Sequence, residues 1–143
     1  VQISTPQAMQ ELGRRLGLKL QVGDVVALIG PLGAGKTELA KGVASAFGIT
    51  EVTSPTFVIA RSYKSVPPLI HMDAYRLIAG TNPLSELEDL DLDVENAITI
   101  IEWGQELVNR ISKEYLEVHI NRDTDIREVT FKGIGTRWQD FSI

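Results

Sequence analysis

The sequence predicts an α/β fold, a mixed β-sheet flanked by helices in a single domain over residues 1–143. Three observations carry that expectation. An apolar run, Val25 to Ile29, stops at Gly30 and gives way to a helical pattern, as a buried parallel strand feeding a helix does. A second apolar run from Ala97 ends in Glu102 and is again followed by helical spacing. Two pairs of short alternating segments, either side of Ser65–Pro68 and of Arg122–Asp125, read as hairpins, whose strands must be antiparallel.

The turn after the first run is the most informative stretch. Gly30-Pro31-Leu32-Gly33-Ala34-Gly35-Lys36-Thr37 fits the phosphate-binding pattern G-x-x-x-x-G-K-[ST] at every fixed position. Glycine tolerates the positive φ that such a loop needs to turn its N–H groups inward around an anion. Lys36 is then placed to reach the outer phosphates, and the Thr37 hydroxyl to take a position on Mg²⁺. A helix over Glu38 to Phe47 would aim its positive N-terminus at the same phosphates. The bland alternative is a glycine-rich turn that binds nothing. Strand before and helix after are the context the motif demands, so the expectation is a P-loop site for a nucleoside triphosphate and Mg²⁺.

Composition narrows the partners. The formal net charge is −5, from 14 Lys and Arg against 19 Asp and Glu, which argues against the chain holding RNA or DNA alone. The absence of cysteine excludes disulfides, zinc–cysteine sites and thiol catalysis. No stretch approaches the ~18 consecutive apolar residues of a membrane span, and the first 30 residues lack a signal-peptide layout. The chain begins at Val1 rather than Met, consistent with a short preceding piece. The expected location is the cytoplasm, with no membrane partner.

Taken in order, Thr5-Pro6 opens the first helix with a capping hydroxyl and a proline at the first helical position. Ala8, Met9, Leu12 and Leu16 form its apolar stripe, and a residue near Thr5 could touch the base of a bound nucleotide. Gly48 marks the end of the P-loop helix. The polar loop Thr53 to Phe57 has two readings: local turn bonding by Ser and Thr, or a γ-phosphate-sensing switch. Leu69 to Asp73 alternates as a strand. Asp73 at its end is either a cap or turn residue, or a group acting on a metal, a water or a neighbouring lysine. His71 reads as structural, hydrogen-bonding within the core, because no second ligand stands at metal spacing.

Leu84 to Glu95 is acidic with interleaved leucines, a solvated amphipathic turn or two or else a partner surface. Glu102 closes the next strand. In P-loop proteins the strand beside the P-loop strand ends in an acid at Mg²⁺ or its waters, and Glu102 occupies that position; the alternative is an edge-of-strand glutamate. A helix over Gln105 to Ile111 follows, then a hairpin of Tyr115 to Asn121 with Ile126 to Lys132, and a short tail from Thr136 to Ile143.

Four motifs thus stand in order: GPLGAGKT, SPTF, HMDAYR and IIEWG. Together they resemble the TsaE family, also called YjeE, small P-loop ATPases of bacterial tRNA threonylcarbamoyladenosine synthesis. The resemblance covers nearly the whole chain. It implies that Gly33 to Thr37 hold the phosphates, that Thr37 and Glu102 serve the metal, and that Asp73 is functionally required. It further implies that Ser54 to Thr56 is a switch, with Thr56 near the γ-phosphate. The family's opening Ser and Thr correspond here to Thr5 and Met9, and Arg127 matches an arginine of the closing strands. The activity implied is a weak, Mg²⁺-dependent ATPase, an accessory subunit of the complex that modifies adenosine at tRNA position 37. Its implied partners are the catalytic threonylcarbamoyl-transferase subunit and that subunit's paralogue, with tRNA met only through the complex. Lys36, Asp73 and Glu102 are the expected catalytic residues. Two rivals stay open: a small-molecule or nucleotide kinase, and a nucleotide-gated binding module. No N-K-x-D guanine-reading pattern occurs in the chain.

Overall fold

The computed structural model describes residues 1–52, 60–75, 83–103, 105 and 107–143. A two-residue strand, β1 (Gln2–Ile3), leads into helix α1 (Pro6–Gly17), and then come β2 (Val25–Ile29) and α2 (Lys36–Ser45). The middle of the chain holds β3 (Ala60–Tyr63), β4 (Leu69–Asp73), α3 (Pro83–Asp89) and a 3₁₀ turn at Val94–Asn96. After β5 (Ile98–Glu102) and the short α4 (Val108–Ile111), the hairpin β6 (Tyr115–Asn121) and β7 (Arg127–Ile134) closes the sheet.

The seven strands among the described residues form one mixed sheet in the order β1-β7-β6-β2-β5-β4-β3, as the expected α/β architecture requires. Strand β2 runs parallel to both β5 and β6, and β4 runs parallel to β5. Strands β3 and β7 are antiparallel returns of hairpins, and β1 adds to β7 antiparallel. Parallel pairing aligns the C-terminal ends of β2, β5 and β4 along one edge of the sheet. Leu28 lies opposite Glu102, and Glu102 opposite Asp73. The chain leaves β2 between neighbours on both sides, the crevice in which open parallel sheets bind ligands.

Burial on both faces explains why β2 reads as an unbroken apolar run. Val26 and Leu28 face a core built with α1 and α2, which includes Leu12, Leu16, Leu39 and Val43. Val25 and Ala27 face a second cluster with Met72, Ile101, Leu107 and Val108. On the first face α1 lies close against α2, and three glycines permit it. A Cβ added at Gly42 would overlap the backbone of Gln10, and one at Gly13 the carbonyl of Leu39. At Gly17 it would stand 2.8 Å from the Val43 carbonyl oxygen. Overpacking of this kind costs about 1–3 kcal/mol per site, so the approach of α1 to the P-loop helix depends on these small residues.

Several elements depart from the sequence expectation. Helix α2 begins at Lys36 rather than Glu38, because Gly35 adopts φ +111° and lets the helix start at once. Its last turn ends at Ser45, and Gly48, at φ +77°, closes the exit. The helix expected over Gln105 to Ile111 is described only as Val108–Ile111, with residues 104 and 106 outside the described set. Strand β1 was not foreseen, being too short to show a period. The closing tail is also more than a tail: Thr136–Trp138 forms a 3₁₀ turn that buries Trp138 against Phe141. The N-terminus of α1 follows expectation, with Thr5 Oγ1 accepting from Ala8 N at 3.0 Å.

Candidate nucleotide-binding site

The P-loop, residues 30–37, leaves the end of β2 and wraps a cavity of about 580 Å³. Gly33 and Gly35 line it at φ +77° and +111°, conformations in which a side chain would be strained. Ala34 is buried beneath them, and its amide donates to the Pro31 carbonyl at 3.1 Å. Thr37, in the first turn of α2, lines the cavity, as do Asp73 and Glu102 from the two neighbouring strand ends. Asp73 and Glu102 lie far in sequence from Lys36 and Thr37 and from each other, and the aligned strand ends bring the two acids to the opening that the P-loop and the first turn of α2 line.

Gly30 contributes differently. Its position is set by close approach to β6, since a Cβ there would stand 2.8 Å from the Ile120 carbonyl oxygen. Its own carbonyl accepts from Lys36 Nζ at 2.7 Å, and Pro31 O accepts from the same ammonium at 2.9 Å. Lys36 is 5% exposed, so its charge is largely removed from water. Burial pushes its pKa below the usual 10.5, against the opposing attraction of Glu102 and Asp73.

Trp103 completes the enclosure of Lys36. The ammonium sits 4.0 Å from the ring centroid, within cation–π range. The ring in turn contacts Tyr75, with centroids 5.5 Å apart. Trp103 holds this place at φ +61°, a left-handed conformation that is costly for a bulky residue. Its amide donates to Leu28 O at 3.3 Å, tying the strained residue to the end of β2. Lys36 is thus bound on one side by loop carbonyls and on the other by an indole face.

Glu102 is buried and has a partner the sequence did not reveal. His71 Nε2 lies 2.6 Å from Glu102 Oε2, with both side chains under a tenth exposed. The expectation that His71 bonds within the core holds, but its partner is the acid expected at the metal. The signal was faint: a histidine two residues before Asp73 shares Asp73's side of the strand, and so faces the same way as Glu102. The first turn of α2 is also anchored. Glu38 accepts from Gln10 of α1, and that bond chiefly holds its carboxyl below the usual range; burial opposes this and Lys41 adds to it.

A smaller hollow of about 170 Å³ adjoins the cavity and shares Gly33, Gly35 and Glu38 with it. Thr5, Met9 and Arg127 line it. The position of Thr5 beside the P-loop follows from the packing of α1 on α2. Arg127, to which sequence gave no role, reaches Gly33 O at 3.5 Å, and Arg122 donates to Leu32 O. Two arginines of the closing hairpin therefore brace the outer rim of the loop. Thr56 and the rest of the Ser54–Thr56 loop lie outside the described residues.

Comparison with known proteins agrees with the fold. The family model described as "Threonylcarbamoyl adenosine biosynthesis protein TsaE" matches residues 3–129. A Streptomyces coelicolor protein named tRNA threonylcarbamoyladenosine biosynthesis protein TsaE is 48% identical over 141 residues, covering 91% of this chain and 93% of its own. The Bacillus subtilis protein of the same name is 37% identical over 140 residues, covering 94% of this chain and 85% of its own. Among solved structures, that of Bacillus subtilis YdiB superposes with a TM-score of 0.79 at 31% identity, over 97% of this chain and 87% of that one. With motifs, fold and long-range identity in agreement, the chain belongs to the TsaE family.

Proposed function

We propose that the chain is a Mg²⁺-dependent ATPase acting as an accessory subunit in the synthesis of threonylcarbamoyladenosine in tRNA. The observation that carries the reading is the convergence of Lys36, Thr37, Asp73 and Glu102 on one P-loop cavity at aligned strand ends. The left-handed Gly33 and Gly35 suit a loop whose amides cradle phosphate oxygens. Lys36 would leave its loop carbonyls for the outer phosphates, exchanging two neutral acceptors for charged ones. Thr5 and the hollow beside it would receive the base. Thr56 would act as the switch that the family resemblance assigns it.

The donor set fits magnesium. Thr37 and Glu102 supply hard oxygens, and among the described residues no three His, Cys, Asp or Glu side chains form a metal cage. Magnesium characteristically takes one or two carboxylates and completes its shell with phosphate oxygens and water. Once bound it would neutralise charge on the transferring phosphoryl group. Asp73, level with Glu102 on the adjoining strand, would orient the attacking water. Positioning and charge compensation are most of what phosphoryl transfer asks of a protein.

The names of the relatives support the pathway, and the net charge of −5 supports meeting tRNA through partners rather than directly. Those partners would be the catalytic threonylcarbamoyl-transferase subunit and its paralogue, in the cytoplasm. Among the described residues no helix is long and apolar enough to cross a membrane. The test is ATP hydrolysis by the chain alone and with both partner subunits, with Glu102→Ala as control. Slow turnover that rises with the partners and vanishes in the variant is the expected result. Fast turnover indifferent to partners would overturn the accessory role. Nucleotide binding without turnover under either condition would leave a gated binding module.

A further inference from the structure

We propose that His71 is a positioning residue: it holds the Glu102 carboxylate in the orientation that serves the metal, through the bond from Nε2 to Oε2. The inference rests on the reading of Glu102 as the acid at Mg²⁺. Three features of the fold lead to it. Asp73 and Glu102 are direct register partners, whereas His71 pairs with Ile100 and reaches Glu102 diagonally along the same face. A carboxylate only accepts hydrogen bonds, so Nε2 is the donor, and at 2.6 Å the contact is short. The terminal torsion of glutamate is otherwise broad and two-fold, so a single bond to Oε2 selects the orientation and leaves Oε1 without it.

Packing alone is a poor account of this histidine. Its ring is 1% exposed, and Nδ1 has no hydrogen-bond partner among the described residues. A buried polar atom without a partner lowers stability, and an apolar side chain of similar size would avoid the cost. A group that costs stability on its inner edge while gripping a site carboxylate on its outer edge is best understood through the carboxylate. Outer partners of metal-binding carboxylates commonly change metal affinity about 10–100-fold when removed.

The experiment follows ADP binding by calorimetry, first in EDTA and then across a range of Mg²⁺ concentrations, alongside thermal unfolding. His71→Leu removes the Nδ1 that is unpartnered among the described residues but leaves the buried Glu102 Oε2 without its donor, so it is expected to unfold below the parental temperature while binding ADP in EDTA as the parent does. Its half-saturating Mg²⁺ concentration should rise about tenfold or more. His71→Gln, whose amide nitrogen stands near the place of Nε2, should recover most of that loss. His71→Asn, whose amide is too short to reach Oε2, should not. An unchanged Mg²⁺ requirement in His71→Leu would overturn the proposal. Should the leucine variant fail to fold, equal Mg²⁺ requirements in the Gln and Asn variants would overturn it instead. Glu102→Gln separates the two readings. If it raises the Mg²⁺ requirement while His71→Leu does not, only the positioning role falls; if it changes nothing, the placement of Glu102 at the metal falls as well.

Discussion

Strand β2 ends in two environments that treat buried charge in opposite ways. At its N-terminal end, Asp24 is 6% exposed, and every bond around it favours one arrangement. Arg137 grips it with two parallel bonds, Nε to Oδ1 at 3.0 Å and Nη2 to Oδ2 at 2.8 Å, while Gln21 N donates to Oδ2 at 2.7 Å. The guanidinium also lies over the Trp138 ring and donates to Lys19 O. At the C-terminal end, Lys36 is equally buried, and among the described residues it donates to loop carbonyls and lies over an indole face, with Glu102 and Asp73 acting on it as nearby charges. Beside it stand a left-handed tryptophan and a histidine with one nitrogen unmatched among the described residues. One end satisfies its charge and ties the chain's tail to the sheet. The other holds its charge in a costly setting that an anionic ligand would improve. Strain and desolvation gathered at one end of a strand, with satisfied bonds at the other, are what the proposed nucleotide site at that end would require.

The comparison breaks or holds most visibly at Lys36. Lys36→Met keeps an unbranched stem beneath Trp103 and removes the charge. ATP hydrolysis is expected to fall about 10²–10³-fold, the usual effect of removing one preorganised stabilising group. Urea unfolding should show stability equal to or above the parent, because a desolvated charge has gone and exposed Pro31 can turn its carbonyl to water. A large loss of stability would make Lys36 a structural strut and erase the contrast. Arg137→Ala probes the other end and should do the reverse. It leaves Asp24 buried without its cation, a loss of about 3 kcal/mol, the low end for a broken buried pair because Arg137 is 27% exposed. That corresponds to a drop of roughly 6–12 °C in Tm. ADP affinity should stay within about twofold of the parent, given the distance of this pair from the P-loop and the near-independence of separated sites. A weakened affinity would mean that the two ends communicate through β2.

How much of this was legible in sequence depends on how local the determining contacts are. The P-loop was readable because eight adjacent residues carry the whole device, and the strand and helix on either side confirm it. Asp73 and Glu102 were readable as strand-terminal acids, since a strand's end can be recognised by the apolar run that precedes it. The His71–Glu102 bond was not readable: it joins residues 31 apart and depends on the register of two strands, which no local pattern states. Arg137 and Asp24 are 113 residues apart, and the arginine sits in a stretch that reads as a tail. Arg122 and Arg127 were similarly hidden, because their bonds to the P-loop run through backbone carbonyls, which leave no trace in residue identity. The start of α2 was misplaced by two residues for a related reason. Only the backbone of Gly35 reveals that the helix begins within the motif itself.

The smallest expected effect is also the most selective. Burial lowers the pKa of Lys36 from its usual 10.5, and the nearby Glu102 and Asp73 oppose that shift without overcoming it. Below the depressed value Lys36 is charged in both folded and unfolded chains, and folding bears the full cost of desolvation. As pH rises from that value towards 10.5, the unfolded chain still holds the proton that the folded chain has released. Stability therefore increases with pH across this alkaline window. Other groups titrate there too, so the quantity to measure is the difference in unfolding free energy between parent and Lys36→Met, in metal-free buffer at a series of pH values. That difference should shift in the parent's favour as pH rises. A shift in the opposite direction would mean that the two carboxylates outweigh burial, making Lys36 a satisfied charge like Asp24. Repeated in the Arg137→Ala background, the slope should persist unchanged, because the lysine's environment is set by the loop, Trp103 and the strand-end acids, none of which touches the arginine.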